Sequence, residues 1–186
     1  SECLFNFEYN PAGISFSDSN QIAFSHYEYY ADIKNEYFAV LLKPKKNFVL
    51  ASSLKISNID DVERDSLGNQ TGNFTNTSYQ MKTGAGFLFS KNFGAGLAIS
   101  YISNKIYTQK SSVIAADAGF LISGIDISEN SKINLGVSFQ NIGDKMSFGG
   151  QSYSLPQKTR LGFSIINNQT FPKIIKKTTF STDFVF

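Results

Sequence analysis

The 186 residues include no tryptophan, one cysteine and one histidine. A single cysteine, Cys3, excludes an internal disulfide framework and any zinc site built on thiolates. A single histidine, His26, gives no support to multi-histidine metal binding or to a Ser-His-Asp relay. Charge is also scarce, at 17% of residues, against about 25% in an ordinary soluble domain. The 17 basic and 15 acidic residues leave a formal +2, so no bulk field points to nucleic acid. No apolar run approaches the ~18 residues of a transmembrane helix. The pairs Gly84/Gly86 and Gly94/Gly96 lack the third glycine of a nucleotide-binding loop and open no helix. The acidic run 61–65 lacks the glycine and terminal glutamate of a calcium loop and reads as a solvated loop. No catalytic residue, metal or cofactor is therefore expected.

Aromatic residues, by contrast, reach 15%, nearly all Phe and Tyr, with many Gly and Ser. Alternation with a period of two recurs along the chain, and helical periodicity is hard to find. In 133–140, Ile133, Leu135, Val137 and Phe139 oppose Asn134, Gly136, Ser138 and Gln140. Leu161, Phe163 and Ile165 likewise oppose Arg160, Gly162 and Ser164, and Leu97, Ile99 and Tyr101 oppose Gly96, Ala98 and Ser100. Similar segments follow Phe48, Met81, Val113 and Thr179, and less distinct ones cover 21–27 and 36–42. About nine strands result, several able to reach the ~9–11 residues that cross a membrane at a tilt. The connections 44–47, 91–94 and 124–131 are short or moderate and share one end of the sheet. Those at 58–76 and 141–157 are long and polar and share the other; 167–177 is longer than this parity predicts.

The same alternation suits a transmembrane barrel and a soluble sandwich, so the polar face has to separate them. A sandwich presents Lys, Glu and Thr to water. Here that face holds Gly84, Gly86, Gly96, Ala98, Gly119, Gly136 and Gly162, with Lys55, Lys82, Asp117, Arg160 and Asp183 as its charges. Glycine weakens a strand, so its concentration needs a cause. A plug or ligand pressing on a barrel wall supplies one. The expected fold is all-β, an antiparallel transmembrane β-barrel with about eight or nine strands present; a soluble secreted all-β binding domain is the alternative. The C-terminal Phe184-Val185-Phe186 step fits a barrel assembly signal in part, and Ser1-Glu2-Cys3 reads as the start of a mature or trimmed chain.

The run Phe7-Glu8-Tyr9-Asn10-Pro11-Ala12-Gly13-Ile14 resembles the N-terminal motif of FadL/TodX-type outer-membrane transporters and of the related PorV/PorQ-like barrels. His26-Tyr27-Glu28-Tyr29-Tyr30, Asp117-Ala118-Gly119-Phe120, Gln140-Asn141-Ile142-Gly143 and Leu155-Pro156 up to Arg160-Leu161-Gly162 are similar to positions of the PorV/PorQ-like group. The resemblance implies a fourteen-stranded barrel of the bacterial outer membrane, of which this chain is a part or a smaller closed version. It also implies an N-terminal hatch-like segment, placed at residues 1–19, with barrel strands over 20–186. Phe7, Tyr9, Asn10, Pro11, Ala12 and Gly13 would then form the hatch. Lys82, Asp117, Arg160 and Asp183 would be polar groups of the lumen, with Lys82 and Arg160 as cations for a carboxylate ligand. FadL-type membership implies passive transport of hydrophobic small molecules such as fatty acids. PorV-like membership implies a structural or secretion-associated barrel that binds envelope or secretion-system proteins. Both imply contact with membrane lipid, and neither implies nucleic acid.

Overall fold

The computed structural model describes residues 3–29, 33–168 and 178–186 of the chain. A short helix, α1 (Cys3–Asn6), and a 3-10 turn (Pro11–Phe16) precede the strands. The strands are β1 (Gln21–Tyr29), β2 (Ile33–Lys45), β3 (Phe48–Arg64), β4 (Gln70–Ser90), β5 (Phe93–Ile106), β6 (Gln109–Ser128) and β7 (Ser131–Gly143), then β8 (Lys145–Phe148), β9 (Gln151–Ser154), β10 (Lys158–Asn167) and β11 (Thr178–Val185). Nine of them form one antiparallel sheet in the order β1-β2-β3-β4-β5-β6-β7-β10-β11, and β8 and β9 form a separate hairpin. The all-β antiparallel expectation therefore holds.

Closure does not. Among the described residues β1 pairs only with β2 and β11 only with β10, which leaves two edges. With nine alternating strands both edges run the same way, so a direct β1–β11 seam would have to be parallel, unlike every other pairing in the sheet.

Alternation gives the sheet two unlike faces. On one, the bare face, each strand exposes large apolar side chains, among them Phe38, Leu54, Met81, Leu97, Phe120, Phe139 and Leu161. No second sheet packs there among the described residues. The opposite face carries small and polar residues, and the N-terminal segment and the β8–β9 hairpin lie on it. Leu4, Phe7 and Ile14 of the N-terminal segment pack against Tyr37, Ala39, Leu41, Val49, Ala51 and Ala98. A second cluster joins Val113 and Ala115 of β6 to Met146 and Leu155 around the hairpin.

At one end the strands are joined by residues 46–47, 91–92 and 129–130, and at the other by 65–69 and 107–108. The expected long loop over 58–76 is therefore mostly strand: β3 and β4 stay paired out to Arg64 and Gln70. Polar cross-strand contacts hold this ribbon where no apolar alternation exists, as when Thr75 donates to Asp60 at 2.6 Å. The expected connection over 124–131 shrinks because β6 continues to Ser128 through irregular register. The expected loop over 141–157 contains the β8–β9 hairpin, turned by Gly149 and Gly150 at positive φ. Most of the connection expected over 167–177 lies outside the described residues.

Candidate functional site

The N-terminal segment is seated on the covered face by one asparagine and a row of glycines. Asn10 caps the 3-10 turn, its side-chain oxygen accepting from Ala12 N at 2.9 Å, and Pro11 follows at the first helical position. The other half of the Asn10 amide donates to Phe120 O on β6 and Val137 O on β7, each at 3.2 Å. Gly86, Gly96 and Gly119 stand side by side across β4, β5 and β6. A methyl group added to Gly96 would overlap the Pro11 carbonyl; one on Gly119 would overlap the Asn10 amide, and one on Gly86 would meet Ile14 and Ser15. The glycines form a trough one side chain deep, and 11–15 lie in it buried.

Three charged pairs lie at the segment. Glu8 is its acidic residue among those described: Ser53 and Tyr37 donate to Oε1 at 2.6 and 3.3 Å, and Lys55 Nζ pairs with Oε2 at 2.5 Å. Burial pushes the Glu8 carboxyl up, but Lys55 and the hydrogen bonds outweigh it and hold the group below its ordinary value. Lys82 and Asp117 form a second pair at 2.6 Å, each side chain 2% exposed. Asn141 N donates to the other Asp117 oxygen at 2.7 Å, and the Phe7 ring lies 5.0 Å from Lys82 Nζ. Arg160 forms the third pair, with Asp183 at 2.8 Å, while its Nε donates to Gln140 and its guanidinium stands 5.2 Å from the Tyr9 ring. Gln140 and Ser138 in turn donate to Glu8 O and Tyr9 O, both at 2.8 Å. The segment is thus tied from β2 and β3 on one side to β7 and β10 on the other.

Among the described residues, the cavities on the covered face include three of note. The first, about 430 Å³, lies toward the end with connections 91–92 and 129–130, between Tyr9, Asn134, Arg160 and Asp183. The second, about 460 Å³, lies toward the opposite end, over β1–β4 and under Phe5 and Tyr9. The third, about 570 Å³, is lined by Ile102, Ile106, Met146, Phe148 and Leu155 at the β8–β9 hairpin. Tyr9 borders the first and second, and Ser78 and Gln80 border the second and third.

All ten residues singled out in the sequence therefore lie at or under the N-terminal segment, but they divide. Phe7, Pro11, Ala12 and Gly13 are buried seat contacts, Asn10 is the tie, and Tyr9 is exposed between two cavities. Arg160 and Asp183 line a cavity. Lys82, expected to face a ligand carboxylate, is neutralised by Asp117 beneath Phe7, so a ligand could reach it only by displacing that ring. Glu8, Lys55, Ser53, Ser138 and Gln140 were not singled out as ties. Their signal was present, since all four strand residues fall on the small-residue face. Among the described residues no cluster of acidic, histidine or cysteine side chains could hold a metal. The Asp65 carboxylate of the acidic run is taken up by the backbone N–H groups of Leu67 and Asn69. No family model and no curated protein matches this chain.

Proposed function

We propose that the chain forms wall strands of a bacterial outer-membrane β-barrel whose N-terminal segment plugs the lumen, and that hydrophobic small molecules pass this plug passively. The observation that carries the proposal is the contrast between the faces: bare and apolar in strand after strand, small and polar under the segment. Water penalises a single-layer sheet with one greasy face, whereas lipid favours that face and rejects charge on it. The polar pairs on this face agree with such a setting: Ser52 and Thr83 satisfy each other at 3.0 Å, and His26–Glu36 and Asp60–Thr75, at 2.7 and 2.6 Å, lie toward the strand ends. The resemblance of residues 7–14 to FadL-type transporters points the same way. The apolar third cavity suits capture of a hydrophobic molecule, and Tyr9, shared by the other two, is the constriction on the way past the plug.

Reconstitution into lipid vesicles and uptake of a fluorescent fatty acid test this reading. The expected result is uptake above that of empty vesicles, raised further by Tyr9→Ala. Insertion with uptake equal to empty vesicles for both proteins would reject transport. It would leave the second reading, a PorV-like structural barrel that binds envelope or secretion-system proteins. That reading draws on the ties to Asn10, Glu8 and Tyr9, which suit a fixed plug better than a moving one.

A further inference from the structure

The floor of the second cavity is a grid. One row, in register across β1–β4, is Ser25, Tyr37, Lys55 and Gln80. The next is Tyr27, Asn35, Ser57 and Ser78. Every one of these side chains ends in a hydroxyl, amide or ammonium group, and none is aliphatic. Some are already engaged: Tyr37 and Lys55 on Glu8, Gln80 on Ser100, Ser78 on Asn104. The side chains of Ser25, Tyr27, Asn35 and Ser57 have no hydrogen-bond partner among the described residues and all line the cavity. Above them stand the Phe5 and Tyr9 rings, 47% and 58% exposed.

This combination selects against the obvious ligands. Glu8 and Lys55 cancel each other at 2.5 Å, so a charged head group finds no uncompensated countercharge. An aliphatic chain would strip water from four free polar groups and return no hydrogen bond. A ligand suits the site if it is neutral, carries hydroxyls around its edge and offers an apolar C–H face to an aromatic ring. We propose that the second cavity binds a neutral pyranose ring, its C–H face on Phe5 or Tyr9 and its hydroxyls on Tyr27, Asn35 and Ser57. The site goes beyond passive passage of hydrophobic molecules, because it is built from side chains that such molecules would leave unsatisfied. A free sugar and the head of a glycolipid share this chemistry.

Saturation-transfer NMR separates the cases, with the protein folded in lauryl dimethylamine oxide, a detergent without a sugar head. Methyl glucoside is the free probe, cyclohexanol the apolar control of similar ring size, and a glucosyl lipid in nanodiscs the membrane-borne probe. The expected result is transfer to the ring protons of a glucosyl probe and none to cyclohexanol. Asn35→Leu should weaken binding roughly tenfold, the loss of about one ligand hydrogen bond. Ser57→Ala, a milder change, should weaken it as well; both variants are first checked for wild-type strand circular dichroism. Transfer to methyl glucoside assigns the site to free sugars, and transfer to the lipid-borne sugar alone assigns it to glycolipid heads. Absence of transfer to both glucosyl probes, or a signal unchanged in both variants, would overturn the proposal.

Discussion

Lys82 and Asp117 face each other under a phenylalanine ring with almost no contact with water, so each depends on the other for its charge to be tolerated. Asp117→Asn keeps an acceptor for Asn141 N but strands the ammonium group. A loss of about 3–5 kcal/mol is expected, read as a lower urea midpoint. Replacing both, Lys82→Met with Asp117→Leu, should recover most of it. Glu8 makes a prediction of opposite character, because its partner Lys55 is partly exposed and its own pKa is lowered. A carboxyl with a folded value below its unfolded value contributes stability that is complete above the unfolded value. That contribution is lost as pH falls through the folded one. Stability measured from pH 5 down to pH 3 should therefore fall in the wild type and fall less steeply in Glu8→Gln. Equal slopes would remove Glu8 from the ties that hold the segment. At Gly96 the constraint is space: Gly96→Val should push Pro11 off the sheet and expose the N-terminal segment to limited proteolysis while the strands persist.

Elements differ in how far their residues announced them. The faces of β5 and β7 could be read directly: Leu97, Ile99, Leu135 and Phe139 are exposed on one side, and Ala98, Ser100, Ser138 and Gln140 are buried on the other. The outer ends of β3 and β4 could not, because Asp60, Asp61, Asn73 and Thr75 carry no apolar period and their pairing is inherited from the strands below. The β8–β9 hairpin was legible in principle, since Phe148-Gly149-Gly150-Gln151 places two glycines where a tight turn needs positive φ. Its short strands hid it among polar residues. The hairpin also encloses the third cavity, so replacing 145–154 with a short linker should abolish retention of an apolar dye there. Strand circular dichroism should change little; retention of the dye would place its site elsewhere.

For the whole molecule, the position of the polar face was readable from glycine and charge, whereas a cover of that face by the N-terminal segment was expected only through the resemblance of 7–14, because docking of 3–16 depends on contacts across the entire sheet. The two faces make the membrane reading testable by charge. Phe120→Lys on the bare face should oppose insertion into lipid vesicles by about 2–4 kcal/mol. Ser123→Lys, on the covered face of the same strand, should insert nearly as the wild type does. Equal behaviour of the two would argue for a soluble sheet.

The seat of Asn10 has a consequence in time as well as in space. Its amide bonds Phe120 and Val137, 110 and 127 positions further along the chain. The segment around Asn10 therefore cannot complete its seat until β6 and β7 have paired. Contacts of such separation form late, since a long loop must close before any of them contributes. Leu4, Phe7 and Ile14 can find their β2 and β3 partners earlier, but without the Asn10 tie the segment stays within reach of proteases or chaperones. Docking of this segment is then completed only once β6 and β7 have paired, and its protection from cleavage is a clock for that pairing.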